Sequence, residues 1–303
     1  MNIKRIPLIT LILIAFSVIA CTEEKATTYT PQISSSKTSS VEKVYSFGIH
    51  PLHNPKRLHD VFGPMMEYLN NNFEGIRFEV EASRNYAAYD EKLYSRKFQF
   101  SLPNPFQTIN SLEHGYRVFG KMGDDDNFKG IILTRKDSGI KNVTDLTGKP
   151  VSFPAPTALA ATMMPQYYLH THGIDVMKDI EIRYVGSQES SIMNVFLGDT
   201  LAGATWPPPW QALVKERPEL ADQMEIKWQT DPLPNNGLVV RDDVPQDVVE
   251  KVSELVFNMH TTEKGKIILQ RMGLSKFEQA DNNTYQAVVD FVKIFSESVR
   301  PVK

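Results

Sequence analysis

Two runs of short strands alternating with helices constrain this chain more than any other feature. Tyr45, Phe47 and Ile49 alternate with Val44, Ser46 and Gly48, a period-two strand pattern closed by His50-Pro51. Asn54-Pro55 starts a helix whose apolar face is Leu58, Val61, Phe62, Met65 and Leu69, with Gly63-Pro64 expected to kink or break it. Strands follow at Ile76–Val80 and Phe98–Leu102, with helices at Tyr86–Arg96 and over Phe106, Ile109 and Leu112. Tyr116–Lys121 and Lys129–Thr134 are two more strands, separated by Gly123-Asp-Asp-Asp126, which reads as a solvated turn; Lys136–Ile140 reads as a crossover. The second run has strands at Pro150–Phe153, Ile180–Tyr184, Leu201–Thr205, Glu225–Trp228 and Leu238–Arg241. Helices lie between them, and three more end the chain. The pattern predicts an α/β fold of two lobes, each a mostly parallel sheet flanked by helices. Lobe one would span 44–135 plus 236–303 and lobe two 136–235.

Within the second run, Val151-Ser-Phe-Pro-Ala-Pro-Thr-Ala-Leu-Ala-Ala-Thr-Met-Met-Pro165 joins a strand, a Pro-bounded turn and a helix expected over Thr157–His172, stopped by Gly173. A strand, a tight turn and a helix start leave backbone N–H groups free to face a ligand. Thr157, Ala158 and Leu159 are therefore candidate binding residues.

The N-terminus is a different material. Lys4 and Arg5 precede an apolar run, Leu8–Ala20, too short to span a bilayer, so residues 1–20 read as a signal peptide. Val18-Ile19-Ala20-Cys21 resembles a lipobox, with Cys21 the lipidated residue. A plain secretory peptide with an incidental Cys is the alternative. Cys21 is the only cysteine, so the fold stands without internal disulfides. Residues 21–43, rich in Thr, Ser, Glu and Lys, form a flexible tether. With a net charge of -3 and no Lys/Arg run, nothing favours nucleic acid.

In the order and spacing of its local motifs, the segment from about 44 to 296 resembles the type II periplasmic solute-binding proteins, in their phosphonate/phosphite-binding, PhnD-like branch. The motifs are Asn85-Tyr-Ala-Ala88, Asp145-Leu-Thr-Gly-Lys149, Pro156–Pro165, Gly186-Ser-Gln-Glu189 and Pro232-Leu-Pro-Asn-Asn-Gly-Leu-Val-Val-Arg241. The resemblance implies a cleft between lobes, hinge closure on a small molecule, and delivery to an ABC permease by a monomer anchored in the cell envelope. It also implies Tyr86 as a cleft residue. Where that family usually has Ser-Thr-Ser-Gly, this chain has Ala158-Leu-Ala-Ala161, and where it often has His, this chain has Gln188. The hydroxyls and the positive charge for an oxyanion are absent from both segments, though the backbone N–H groups remain.

At the strand ends, His50, Asn104, Phe106, Gln107 and Trp206 complete the expected lining, which is aromatic and amide-rich and favours a neutral or weakly polar ligand. Trp206-Pro-Pro-Pro-Trp210 could present two Trp as a flat wall or simply pack. His50, His53 and His59 do not share a helix face, so no metal site is expected. No nucleophile, phosphate-loop or cofactor motif occurs, which favours binding over catalysis and calls for no cofactor. A sensory lipoprotein signalling to a membrane partner is the competing reading.

Overall fold

The computed structural model describes residues 42–302, in which the strand–helix alternation builds two sheets. Cys21, the signal segment and most of the tether lie outside the described residues. The first sheet holds β1 (Lys43–Ile49), β2 (Ile76–Glu81), β3 (Phe100–Leu102), β4 (Tyr116–Met122), β10 (Gly237–Arg241) and β11 (Phe277–Gln279), in the order β11-β4-β10-β3-β1-β2. The second holds β5 (Ile131–Arg135), β6 (Pro150–Phe153), β7 (Glu181–Tyr184), β8 (Ala202–Thr205) and β9 (Met224–Gln229), in the order β7-β6-β8-β5-β9. The helices are α1 (Pro55–Asn70), α2 (Tyr86–Tyr94), α3 (Pro105–Ser111), α4 (Met164–Thr171) and α5 (Gln188–Leu197). They continue with α6 (Pro207–Glu216), α7 (Glu219–Gln223), α8 (Gln246–Phe257), α9 (Glu263–Met272) and α10 (Gln286–Ser298). Of these strands and α-helices, the short α7 and β11 escaped the sequence reading.

Mostly parallel pairing holds only for β2-β1-β3 and β7-β6-β8. β10 and β5 run antiparallel to both of their neighbours, so each sheet is mixed. Both are the strands by which the chain enters a sheet after crossing from the other. The crossings are 123–130 and 230–236, not Lys136–Ile140, which connects β5 to β6 inside the second sheet. β5 also belongs to that sheet rather than with residues 44–122. Its Ile131-Ile132-Leu133 is apolar on both faces, and Ile132 packs in one core cluster while Ile131 and Leu133 pack in another. A strand buried on both faces needs helices above and below it.

The two crossings are bonded to each other: Thr230 N–H donates to Gly130 O at 2.9 Å, and Gly130 N–H donates to Thr230 Oγ1 at 3.0 Å. The acidic stretch expected to be solvated belongs to this junction. Asp125 Oδ1 accepts from Lys121 Nζ at 2.8 Å and from Asn235 N at 3.0 Å, while Asp124 accepts from Ser275 N and Oγ.

Pro64 does not break α1, which runs through it. The buried stripe Leu58, Phe62, Met65, Met66 and Leu69 holds both halves to the core, and the bond lost is one N–H to the Asp60 carbonyl on the exposed side. The helix expected over Thr157–His172 begins instead with a π-helical turn, Leu159–Met163, before α4. Pro165 has no N–H for Ala161 O and its ring would crowd that carbonyl in a tight turn; the wider turn relieves this. Gly173 stops the helix with φ at +94°, as its residue type predicts.

Candidate functional site

Five chain segments bring polar groups to one point. The carboxyl ends of β1, β3 and β8 carry His50, Asn104 and Trp206, and the first turns of α2 and α5 carry Tyr86 and Gln188. These helices start where they do because Asn85, Asn104 and Ser187 cap them: each side chain accepts a backbone N–H three residues on, at 2.9–3.0 Å. The capped ends therefore fix which residue faces the gap between the sheets.

Across that gap, Gln188 Nε2 donates to Tyr86 Oη at 3.2 Å, while Gln188 Oε1 accepts from Thr205 Oγ1 at 2.8 Å. Asn104 Nδ2 donates to Thr157 O at 3.0 Å, tying α3 to the turn before the π-helical segment. His50 is buried, its Nδ1 donates to Leu102 O at 2.9 Å, and its ring packs edge-on to Tyr86 and Tyr89. Burial pushes the His50 pKa down to about 4, so the ring is neutral at physiological pH with Nε2 left as an acceptor. Burial also pushes the Tyr86 phenol well above its ordinary value, leaving a neutral O–H. The N–H groups of Leu159, Ala160 and Ala161 have no hydrogen-bond partner among the described residues.

These residues enclose a cavity of only about 10 Å³, room for roughly one water molecule. Leu159, 1% exposed, lines it with Ala158, Ala160 and Ala161. Among the described residues, no charged side chain lines it. The structure thus brings together His50, Tyr86, Asn104, Ala158, Leu159, Gln188 and Trp206. Three candidates stay outside. Phe106 is buried in the first core. Gln107 completes the Asn104 capping box and donates to Asp90 Oδ1 at 2.6 Å, and only the Thr157 backbone takes part. The two-Trp wall is not formed: Trp206 packs edge-on to Phe128, whereas Trp210 lies in the core with Leu213 and Leu220. The three prolines between them open α6 instead of forming an extended segment.

Sequence reasoning missed Phe128 and Asn236 as lining residues. Both sit on the crossings, and only knowledge of where the chain changes sheets would have singled them out. Asn236 Oδ1 is buried without a partner. His50 and His53 are buried while His59 is exposed on α1, so the three do not converge.

Outside the cavity, α1 meets the second sheet's helices. Arg57 pairs with Glu216 through both Nη atoms, at 3.1 and 2.5 Å, and lies 3.7 Å from Glu189. Asn54 Nδ2 donates to both Glu189 oxygens at 3.2 Å.

Residues 47–285 match the family model described as the ABC transporter, phosphonate, periplasmic substrate-binding protein. The phosphonates-binding periplasmic protein of Escherichia coli K12 is 18% identical over 249 residues, covering 80% of this chain and 73% of that protein. A binding-protein component of an ABC phosphonate transporter from Pseudomonas aeruginosa superposes with a TM-score of 0.78 at 16% identity, over 85% of this chain and 88% of that one. PhnD1 of Prochlorococcus marinus, solved in complex with methylphosphonate, gives 0.76 at 18% identity, over 84% and 99%.

Proposed function

The chain belongs to the family of periplasmic substrate-binding proteins of phosphonate ABC transporters, and from that premise we propose that its two sheets are the cores of two lobes that close on a small uncharged ligand. Proteins of this family take up a small molecule in the periplasm and work with an ABC permease. The lobes would divide at 123–130 and 230–236, and Cys21 would carry the lipid that holds the receptor to the envelope.

The observation that carries the ligand class is the charge of the lining. Tyr86, Gln188, Asn104, Asn236 and neutral His50 supply donors and acceptors, Trp206 and Phe128 supply aromatic surface, and among the described residues no Lys or Arg faces the cavity. A buried dianion without a cation keeps most of its desolvation cost. Three free N–H groups at Leu159–Ala161 suit any oxygen acceptor, anionic or neutral, so the ligand class rests on the missing cation. To admit any ligand the lobes must part, since the cavity holds about one water.

A thermal-shift screen of the mature protein tests this, with methylphosphonate, phosphite and phosphate against neutral amides, sugars and vitamins. A ligand at 100 times its dissociation constant stabilises by about 2.7 kcal/mol. A neutral hit supports the reading; tight binding of methylphosphonate or phosphite overturns it. The small cavity also favours a second reading, a closed lipoprotein that signals to a membrane partner. Failure of every ligand class to shift the transition supports that one.

A further inference from the structure

Beside the inner cavity lies a larger groove of 460 Å³ whose walls come from α1, α6 and α9. It begins three residues after His50, at His53, and two after Trp206, at Pro208, so it adjoins the cavity without sharing a lining residue with it. Its chemistry is the reverse of the cavity's. Arg57, Lys215 and Arg271 line it, with Glu216 the single carboxylate among the described residues. Glu216 and Glu189 already engage Arg57, so the two cations without an ion-pair partner among the described residues are Lys215 and Arg271. The last turns of α6 and α9 account for part of this, because a cation complements a helix's carbonyl end. They do not account for His53. That imidazole is 8% exposed, lines the groove, and has no hydrogen-bond partner for either ring nitrogen among the described residues. Neither ring nitrogen is among the polar atoms sealed from solvent, so the ring is open to the groove, and a neutral imidazole there offers one N–H to a ligand oxygen.

We propose that this groove is a second binding site, for a small polyanion bearing phosphate groups, held by Lys215 and Arg271 with His53 donating from its floor. Arg57 and Glu216 come from helices flanking different sheets, so a ligand there rests on both of them. The burial and the nearby Arg57 charge that push the His53 pKa down to about 3 agree with a neutral ring that donates a single N–H.

Calorimetric titration of the mature protein with pyrophosphate tests the site, with choline chloride as the cationic control. The expected result is saturable pyrophosphate binding that weakens at least about tenfold in Lys215→Ala/Arg271→Ala, the scale of losing charge-assisted hydrogen bonds. Binding should persist in Tyr86→Phe, because the hydroxyl it removes lines the inner cavity and not the groove. The His53 ring signals should move on adding pyrophosphate to the wild type and not to the double variant. No pyrophosphate binding, or equal binding by wild type and double variant, overturns the proposal. Binding lost in Tyr86→Phe but kept in the double variant also overturns it, and places the anion in the inner cavity, where it counts against the uncharged-ligand reading instead.

Discussion

Gln188 and Tyr86 meet across the gap between the sheets, the amide of one donating to the phenol oxygen of the other at 3.2 Å. The same amide accepts from Thr205, so one side chain satisfies two buried hydroxyls on opposite walls. Gln188→Leu leaves both without it, and each orphaned group costs about 1–3 kcal/mol if water cannot replace the partner. The expected outcome is a lower urea midpoint with a looser lobe pair. An unchanged midpoint together with unchanged small-angle scattering would show that the bridge contributes nothing to closure.

Arg57 should act on closure more than on stability. Its pairs with Glu216 and Glu189 lie near the surface, where such contacts are worth about 0–1 kcal/mol and weaken with salt. Arg57→Ala should therefore leave the melting temperature nearly unchanged while raising the radius of gyration, and 0.5 M salt (roughly halving the Debye length or more) should have a similar effect on the wild type. A variant as compact as the wild type at every salt concentration would refute this role.

Gly130 has no room for a side chain. A Cβ there would sit 2.6 Å from both Ala160 O and Pro165 Cδ. Gly130→Ala must push the crossing away from the π-helical turn, at a cost of about 1–3 kcal/mol by analogy with overpacked cores. Denaturant unfolding measures the loss, and ligand affinity should fall with it because Ala160 lines the cavity.

Stability should rise with pH between about 4 and 6. His50 and His53, with pKa pushed down to about 4 and about 3, stay neutral when folded, while the unfolded chain protonates both below the ordinary value of 6.5. That stability is present above 6.5 and is lost as pH falls toward the folded values. Asp90 opposes them: burial raises its pKa from 3.8 to about 6, so the folded form holds a proton that the unfolded form has shed in this window. Counting these three groups, the unfolded chain binds about one more proton near pH 5, a slope of roughly 1.4 kcal/mol per pH unit. Carboxylates held low in the fold, such as Glu278 beside Lys121, add to it in the same direction. Asp90→Asn should steepen the slope, and a flat profile from pH 4 to 6 would contradict the burial of both histidines.

Most of the fold was legible because it depends on periodicity. The apolar face of α1 and the alternation in β1 announce themselves whatever surrounds them. What stayed hidden depends on partners distant in sequence. Ile131-Ile132-Leu133 shows a buried strand but not the sheet it joins, and Asp124 and Asp125 look solvated until Ser275 and Asn235 fold against them. The same holds at the site. His50 follows from a strand end, and Tyr86 and Gln188 from the family resemblance, whereas Asn236 and Phe128 are placed by the crossings.

The bond between Gly130 and Thr230 has a consequence for how this chain is divided as a polymer. Every strand of the second sheet falls between Ile131 and Gln229, and the two ends of that span are held within hydrogen-bonding distance of each other. The span is a contiguous insert with adjoining termini, the arrangement in which domain insertion and circular permutation are tolerated. A gene for residues 130–230 alone is expected to yield a cooperatively folding module. Replacing that span by a short turn should leave the first sheet able to assemble around the same β10 pairings. Circular dichroism of the two fragments would separate a chain of two grafted units from one that folds only as a whole.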